Sequence, residues 1–256
     1  MHQTLPAGTP VYITTPTWSN HRQVFETIGF EVREFKWYSP STGRLDLPAI
    51  LHDLSNAPPH SVTIFHASAH NPSGCDPNPE EWRQIAEVVK QRQLFPLFDA
   101  AYLGITSGSY DQDAFAIRYF VDNVGLEAVV CASFAKNMGL YGESTRQSFK
   151  KIKTQKKINF AIFTANFHLT GERVGLVSIV TKSATTAKAV ESRLAQLTRA
   201  EISNPPAFGA RIASAILADE TLRAQWAKDL VTMSTRIAGM RKALYEALSK
   251  RGMKSK

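Results

Sequence analysis

The sequence predicts an α/β fold, a mainly parallel sheet flanked by helices, and three observations lead there. Short β-branched and aromatic runs alternate with amphipathic stretches through the first half of the chain. Three of those runs end in polar clusters, at His70-Asn71, Asp99 to Tyr102 and Ser133 to Lys136. In parallel sheets ligands bind in the crevice at the carboxyl ends of strands, so three such clusters on one edge point to one site. No internal repeat or low-complexity linker divides the 256 residues, a length that can bury a large core in one large domain or two.

The elements follow in order. Val11 to Thr14 reads as a strand, and Thr15 to His21 as a turn into a helix capped by Ser19 or Asn20. Phe30 to Tyr38 is a second strand and Asp46 to Leu54 a short helix. Ser61 to His66 is a buried strand. Asn78-Pro79-Glu80-Glu81 starts a helix that runs to about Arg92, with a cap, a proline at the first position and acids at the positive end. Leu94 to Phe98 is a strand, Asp113 to Asn123 helical, and Glu127 to Phe134 a strand. The second half is more helical. A strand from Arg173 to Thr181 precedes helices over Ala184 to Leu197 and Ala207 to Leu217, separated by Ser203-Asn204-Pro205-Pro206. Asp219 caps a long helix to about Ser249, with Leu222, Trp226, Leu230, Met233, Ile237, Met240, Leu244 and Leu248 at helical spacing.

Composition narrows the function. Two cysteines, Cys75 and Cys131, make neither a disulfide framework nor a metal site, and the apolar setting of Cys131 fits a reduced, intracellular protein. No apolar run approaches membrane-spanning length, and Met1 to Pro6 is neither a signal nor a transit peptide. The net charge of +8 invites a nucleic-acid reading, but six of the surplus bases fall in residues 144–170, which carry no acid. The rest of the chain lacks an interleaved basic-aromatic stripe, so neither nucleic acid nor membrane is expected as a partner.

Lys136 stands just past the end of a buried strand. A lysine held there by a rigid element and opening to a crevice suits condensation with a carbonyl, since partial desolvation favours the free amine. Such a lysine, an acid beneath a ring nitrogen and a polar rim for phosphate together describe a pyridoxal phosphate site. Asp99, Tyr102, Asn71, Ser133 and Lys136 supply those residue types on loops at one sheet edge. Singly each has an ordinary reading as a cap, turn or surface residue; the conjunction carries the argument.

The runs Pro16 to His21, His66 to Gly74, Phe98 to Gly104, Ser133 to Glu143 and Ser203 to Pro206 resemble the aspartate aminotransferase family, class I aminotransferases of the fold type I pyridoxal-phosphate architecture. The resemblance covers almost the whole chain except 144–170, with five motifs in the family's order. It implies that Lys136 carries the imine link to the cofactor and then moves the proton at Cα, with Asp99 and Tyr102 beside it as the catalytic group. Asp99 pairs with the pyridine nitrogen, with His21 behind it. Trp18 stacks on the ring, Asn71 and Tyr102 hold the phenolic oxygen, and Ser133 and Arg173 hold phosphate. Pro16 and Pro72 match positions that are cis in the family. Arg199 matches the arginine that reaches from the neighbouring subunit of a homodimer to the side-chain carboxylate of a dicarboxylic substrate; Trp18 and Asn71 also face substrate. A guanidinium fork suits a carboxylate.

Three departures stand out. The family motif continues Gly-Leu-Tyr-Gly-Glu-Arg-Val-Gly, whereas here Glu143 is followed by Ser144 and the continuation returns at Gly171-Glu172-Arg173-Val174-Gly175. The basic segment 144–170 is therefore expected to be a non-native insert, a translated intron. Gly142-Glu143-Ser144 can be encoded with a donor-like GTGAGT, Ala165-Asn166 with a branch-point-like GCTAAC, and Thr170-Gly171 with CAG. Family members also have residues ahead of the match to Val11, including a phosphate-binding loop, and a small domain with the α-carboxylate arginine after its end. The expectation is a chain truncated at both ends, with 1–232 as the cofactor-binding large domain and 233–256 as the start of the small domain. The implied function is aspartate transamination, impaired in this chain. The alternatives are an aminotransferase of broader or aromatic specificity and a non-catalytic fragment of a mis-spliced gene.

Overall fold

The computed structural model describes residues 8–139, 141–142, 159–163, 172–173, 175–203 and 207–252, and of 141–142, 159–163 and 172–173 the backbone alone. The elements are β1 (Val11–Thr15), α1 (Ser19–Thr27), β2 (Val32–Lys36), β3 (Tyr38–Ser39), β4 (Arg44–Leu45), α2 (Leu47–Asn56), β5 (Val62–His66), α3 (Pro79–Gln91) and β6 (Phe95–Ala100). There follow α4 (Tyr110–Asp113), α5 (Phe115–Arg118), β7 (Ala128–Ser133), β8 (Tyr141–Gly142), β9 (Asn159–Phe163), β10 (Glu172–Arg173) and β11 (Gly175–Thr181), then α6 (Ala184–Glu201), α7 (Phe208–Ala218) and α8 (Glu220–Lys250).

Seven strands form one sheet in the order β2-β1-β5-β6-β7-β11-β9. The pairings from β2 through β7 are parallel, and β11 is antiparallel to both β7 and β9. β9 lies within the segment expected to be an insert, and its backbone pairs with β11 from Val177↔Phe163 to Thr181↔Asn159. β8 and β10 form a separate two-stranded ribbon that brings Gly142 opposite Glu172. One described residue from each repeated Gly-Glu pair thus stands opposite the other in the ribbon.

Alternation along the strands divides the core between the two faces of the sheet. Phe65 and Phe98 turn to one face, where Phe120 and Trp82 close on them at centroid separations of 5.1 to 6.4 Å. α3 reaches that cluster through Trp82, Ile85, Ala86 and Val89, the one-face spacing of an amphipathic helix. Its start is a capping box, with Asn78 Oδ1 accepting from Glu80 and Glu81 and Glu81 accepting from the Asn78 amide. Ile13, Val62, Ile64, Leu97 and Val129 turn to the other face, under Phe25 of α1.

Several expected boundaries shift for physical reasons. α1 begins at Ser19 with Trp18 as its N-cap, which makes no side-chain cap bond, so neither Ser19 nor Asn20 caps it. The helix expected over Asp113 to Asn123 is divided into α4, α5 and a widened turn of π geometry over Tyr119–Asn123. The first break falls at Ala114, directly after Asp113 ends α4. The buried Asp113 carboxylate turns back to accept from the amides of Gly104 (2.8 Å), Thr106 (3.0 Å) and Ser107 (3.1 Å), fixing the loop after β6. Asp76 does the same for the loop after β5, accepting from Ala69 (2.6 Å) and His70 (2.8 Å). Burial holds its carboxyl above the usual range against the opposing pull of those amides.

α8 starts as expected, with Asp219 accepting from the Leu222 amide at 2.9 Å. Of its apolar row only Leu230 is fully buried, while Met240 and Leu244 are each 61% exposed. Leu230 lies over Gly104, whose φ is +87° and where a Cβ would stand 2.6 Å from the leucine Cδ1; only glycine fits that crossing. No helix among the described residues is long and apolar enough to cross a membrane.

The exit of β5 carries two buried histidines. His70 stacks on Trp37 at 4.9 Å and bonds to Thr14 Oγ1 (2.9 Å) and Ser73 Oγ (2.8 Å). Desolvation lowers its pKa to about 3, helped by His66 and His21; desolvation lowers His66 to about 4, against the pull of Asp99. Both pKa values fall below the ordinary 6.5, so the unfolded chain takes up these protons first. The stability that neutral burial confers is whole above pH 6.5 and is lost as pH falls toward about 4 and about 3. Urea unfolding of His70→Asn should therefore show a shallower loss across that window, by about 1.4 kcal/mol for each pH unit. An undiminished slope contradicts neutral burial.

Candidate active site

Strand register builds the floor of a cavity. His66 of β5, Asp99 of β6, Cys131 of β7 and Val177 of β11 stand side by side across four strands. The row sits at the carboxyl ends of the parallel strands, on the face that α1 covers, and it lines a cavity of about 420 Å³. That volume lies within the range of about 300–1,000 Å³ usual for small-molecule and cofactor sites. Trp18, Asn71, Tyr102, Ser133 and Lys136 line the same space. Of the residues singled out from the sequence, Trp18, Asn71, Asp99, Tyr102, Ser133 and Lys136 are thus brought together.

Asp99 is held from below. His21, from α1, lies 3.1 Å from its Oδ2 through Nε2, while His21 Nδ1 lies 2.9 Å from Thr17 Oγ1. The network assigns the proton to Nε2, which donates to the carboxylate, and the threonine hydroxyl donates to Nδ1. His66 Nε2 is 3.9 Å from the same oxygen, too far for a hydrogen bond, and neither nitrogen of its buried ring has a hydrogen-bond partner among the described residues. The rings of His21, His66 and His70 form a run with centroid separations of 4.9 and 4.5 Å. His21, His66 and Asp99 also make a group compact enough to ring a cation, with donor atoms within 4.8 Å of one another. Burial, then the Asp99 charge, pushes the Cys131 thiol up to about 12, so the floor beside the carboxylate is a neutral thiol.

The rim is set by the loops. The Lys136 ammonium lies over the Tyr102 ring, 5.0 Å from its centroid. Ser133 Oγ accepts from the Ala135 amide at 3.3 Å, which leaves the hydroxyl proton for an anion. Gly175 lines the wall, where a Cβ would meet the Ala132 carbonyl at 3.1 Å. Trp18 is 39% exposed, lines the cavity and makes a T-shaped pair with His21 at 5.5 Å. The Thr15-Pro16 and Asn71-Pro72 bonds are both cis, as the resemblance implied.

One expected site residue, Arg199, does not line this chain's own cavity, and a second, Arg173, has its side chain outside the described residues. Arg199, in the last turn of α6, is exposed and its guanidinium donates to Ser203 Oγ at 2.6 Å. The Arg173 backbone pairs with Tyr141, and its side chain lies outside the described residues. The sequence reading gave Asp76, Asp113 and Trp226 no part in the site, although they secure the three loops that bear it. Trp226 donates from its indole to the Asn137 carbonyl at 2.8 Å.

The residues fit pyridoxal phosphate on their own chemistry: an amine at the mouth, a carboxylate on the floor backed by an imidazole, and a hydroxyl free to donate to an anion. Known proteins agree. Aspartate aminotransferase 1 of Medicago sativa is 42% identical over 242 residues, covering 94% of this chain and 51% of the relative. The mitochondrial aspartate aminotransferase of Xenopus tropicalis is 40% identical over 242 residues, 94% of this chain and 50% of the relative. Among solved structures, the aspartate aminotransferase of Trypanosoma cruzi superposes with a TM-score of 0.84 at 39% identity, over 99% of this chain and 57% of that one. The aromatic-amino-acid aminotransferase of Burkholderia pseudomallei, covalently bound to pyridoxal phosphate, gives 0.85 at 35% identity, over 100% and 56%. The chain spans about half the length of the curated relatives it matches. The profile of the family described as aminotransferase class I and II matches residues 1–144 and 162–255, leaving out 145–161 of the basic segment and the last residue. With that match over most of its length, and a lysine, an aspartate and a tyrosine facing one cavity at the sheet edge, the chain belongs to the class I and II aminotransferases.

Proposed function

We propose that this chain carries the pyridoxal 5'-phosphate site of an aspartate transaminase, which converts L-aspartate and 2-oxoglutarate to oxaloacetate and L-glutamate. The observation that carries the reading is convergence: side chains from three separate strand exits and from the start of α1 face one cavity. When bound, pyridoxal phosphate supplies a carbonyl with which amines condense and a ring that accepts electrons from the substrate Cα.

The residues divide the remaining work. Lys136 is the one lysine lining the cavity among the described residues, and it acts as general base, taking the Cα proton and returning it. Asp99 keeps a proton on the ring nitrogen, and the hydrogen bond from His21 fixes the carboxylate beneath it. Trp18 stacks on the ring. Asn71 and Tyr102 donate to the phenolic oxygen, while Ser133 and, by resemblance, Arg173 hold the phosphate. Residues 1–232 form the cofactor-binding unit and 233–256 begin a second unit, with 144–170 an insert. Arg199 serves the dicarboxylate from a second copy of the chain, in keeping with its exposure and its distance from this chain's own site. Substrate is therefore bound between subunits of a homodimer.

A second reading, broader or aromatic specificity, is favoured by one observation: solved aromatic and broad-specificity aminotransferases superpose about as well as aspartate ones do, with TM-scores of 0.82 to 0.85. Two measurements separate the readings. Incubation with pyridoxal phosphate, reduction with borohydride and peptide mapping should place the added mass on the Lys136 peptide. Label spread over surface lysines, or retained in Lys136→Ala, contradicts the cofactor assignment. In Arg199→Ala the specificity constant for aspartate should fall on the order of a hundredfold more than that for phenylalanine, the effect of losing a charged hydrogen-bond pair. Equal losses favour the aromatic reading. Absence of turnover with label on Lys136 assigns the chain a cofactor-binding but non-catalytic role.

A further inference from the structure

Lysine has a long, rotatable side chain, so the place of its amine depends on how firmly the backbone beneath it is held. The residue after Lys136 is held from two sides. Asn137 is 2% exposed, and two bonds run through it. Its side-chain amide donates to the Leu103 carbonyl at 3.1 Å, and its own carbonyl accepts from the Trp226 indole at 2.8 Å. Leu103 is the residue after Tyr102, over whose ring the Lys136 ammonium lies. Trp226 is half-buried on α8, with its ring 5.7 Å from that of Tyr110. One line of contacts thus joins α8 to the loop after β7 and that loop to the one after β6.

We propose that Trp226 and Asn137 are positioning residues that set the spacing between Lys136 and Tyr102. The inference rests on the cofactor reading above for its purpose, and on these contacts alone for its geometry. Two features set the line apart from ordinary packing. Among the described residues the buried Asn137 Oδ1 has no hydrogen-bond partner. A leucine there would avoid that cost, so the amide is explained by the bridge its nitrogen makes. An indole has a single donor and no acceptor. Trp226 aims that donor at the residue following the lysine, whereas Ser234, two turns further along α8, donates to Thr106 at 2.9 Å and leaves the lysine loop alone.

The test is the reactivity of Lys136 in the full chain without cofactor, read by competitive acetylation and peptide mass spectrometry with Lys90 as the remote reference. Trp226→Phe keeps a ring beside Tyr110 and removes the donor. Its Lys136 labelling should rise about fivefold, the population change that loss of one ordinary hydrogen bond makes. Asn137→Ala should do the same, and if it fails to fold Trp226→Phe decides alone. Ser234→Ala removes a bond from the same helix to the same sheet edge and should leave Lys136 at the parent rate. Equal Lys136 labelling in Trp226→Phe and Ser234→Ala overturns the proposal, because a general loosening of α8 then accounts for both. Adding pyridoxal phosphate to the parent tests the cofactor reading separately: Lys136 that remains unshielded defeats that reading and leaves the cofactor-free comparison to decide the positioning role.

Discussion

The carboxylate of Asp99 stands at the exit of a central strand of a parallel sheet, and the site is arranged around that charge. Strand register puts His66 and Cys131 on either side of it, and α1 brings His21 beneath. The neighbours along the row are neutral, His66 with its pKa near 4 and Cys131 near 12. A charge among neutral groups in a partly desolvated floor acts at short range with little competition from water. The hydrogen bond from His21 orients it, and that bond depends in turn on Thr17 and on the position at which α1 starts.

Rigid strands supply the floor and loops supply the chemistry, so the loops themselves need anchoring. The protein anchors them with buried acids and with one long helix. Asp76 gathers two amides of the loop that bears Asn71, and Asp113 gathers three of the loop that bears Tyr102. α8 then crosses all three loops: Trp226 reaches Asn137, Leu230 seats on Gly104 and Ser234 bonds to Thr106. The Arg241 guanidinium lies against Gly74, on the loop after β5. The same helix leaves Ile237, Met240 and Leu244 to solvent, so its buried contacts are concentrated where the site is.

What the sequence made legible was local. Strand exits announce themselves where a β-branched run turns polar, which is how His70-Asn71, Asp99 to Tyr102 and Ser133 to Lys136 stood out. The caps at Asn78 and Asp219 are similarly written within four residues of the helices they start. The anchors were not legible, because Asp113 and Asp76 accept from loop amides that have no periodicity. Trp226 meets Asn137 across a separation of 89 residues. Asp113 read as the start of a helix; it instead ends the short α4, and its carboxylate gathers three amides of the preceding loop. Arg199 was found only through resemblance, since its exposed guanidinium makes no contact with the cavity it is assigned to serve.

The most direct test of this account is the affinity of the chain for pyridoxal phosphate in the parent and in Asp99→Asn, followed by absorbance. The substitution keeps shape and removes the charge. Loss of a charge-assisted hydrogen bond to the ring nitrogen predicts binding weaker by about ten- to a hundredfold. Equal affinity in the two proteins would contradict the claim that the site is built around the Asp99 charge.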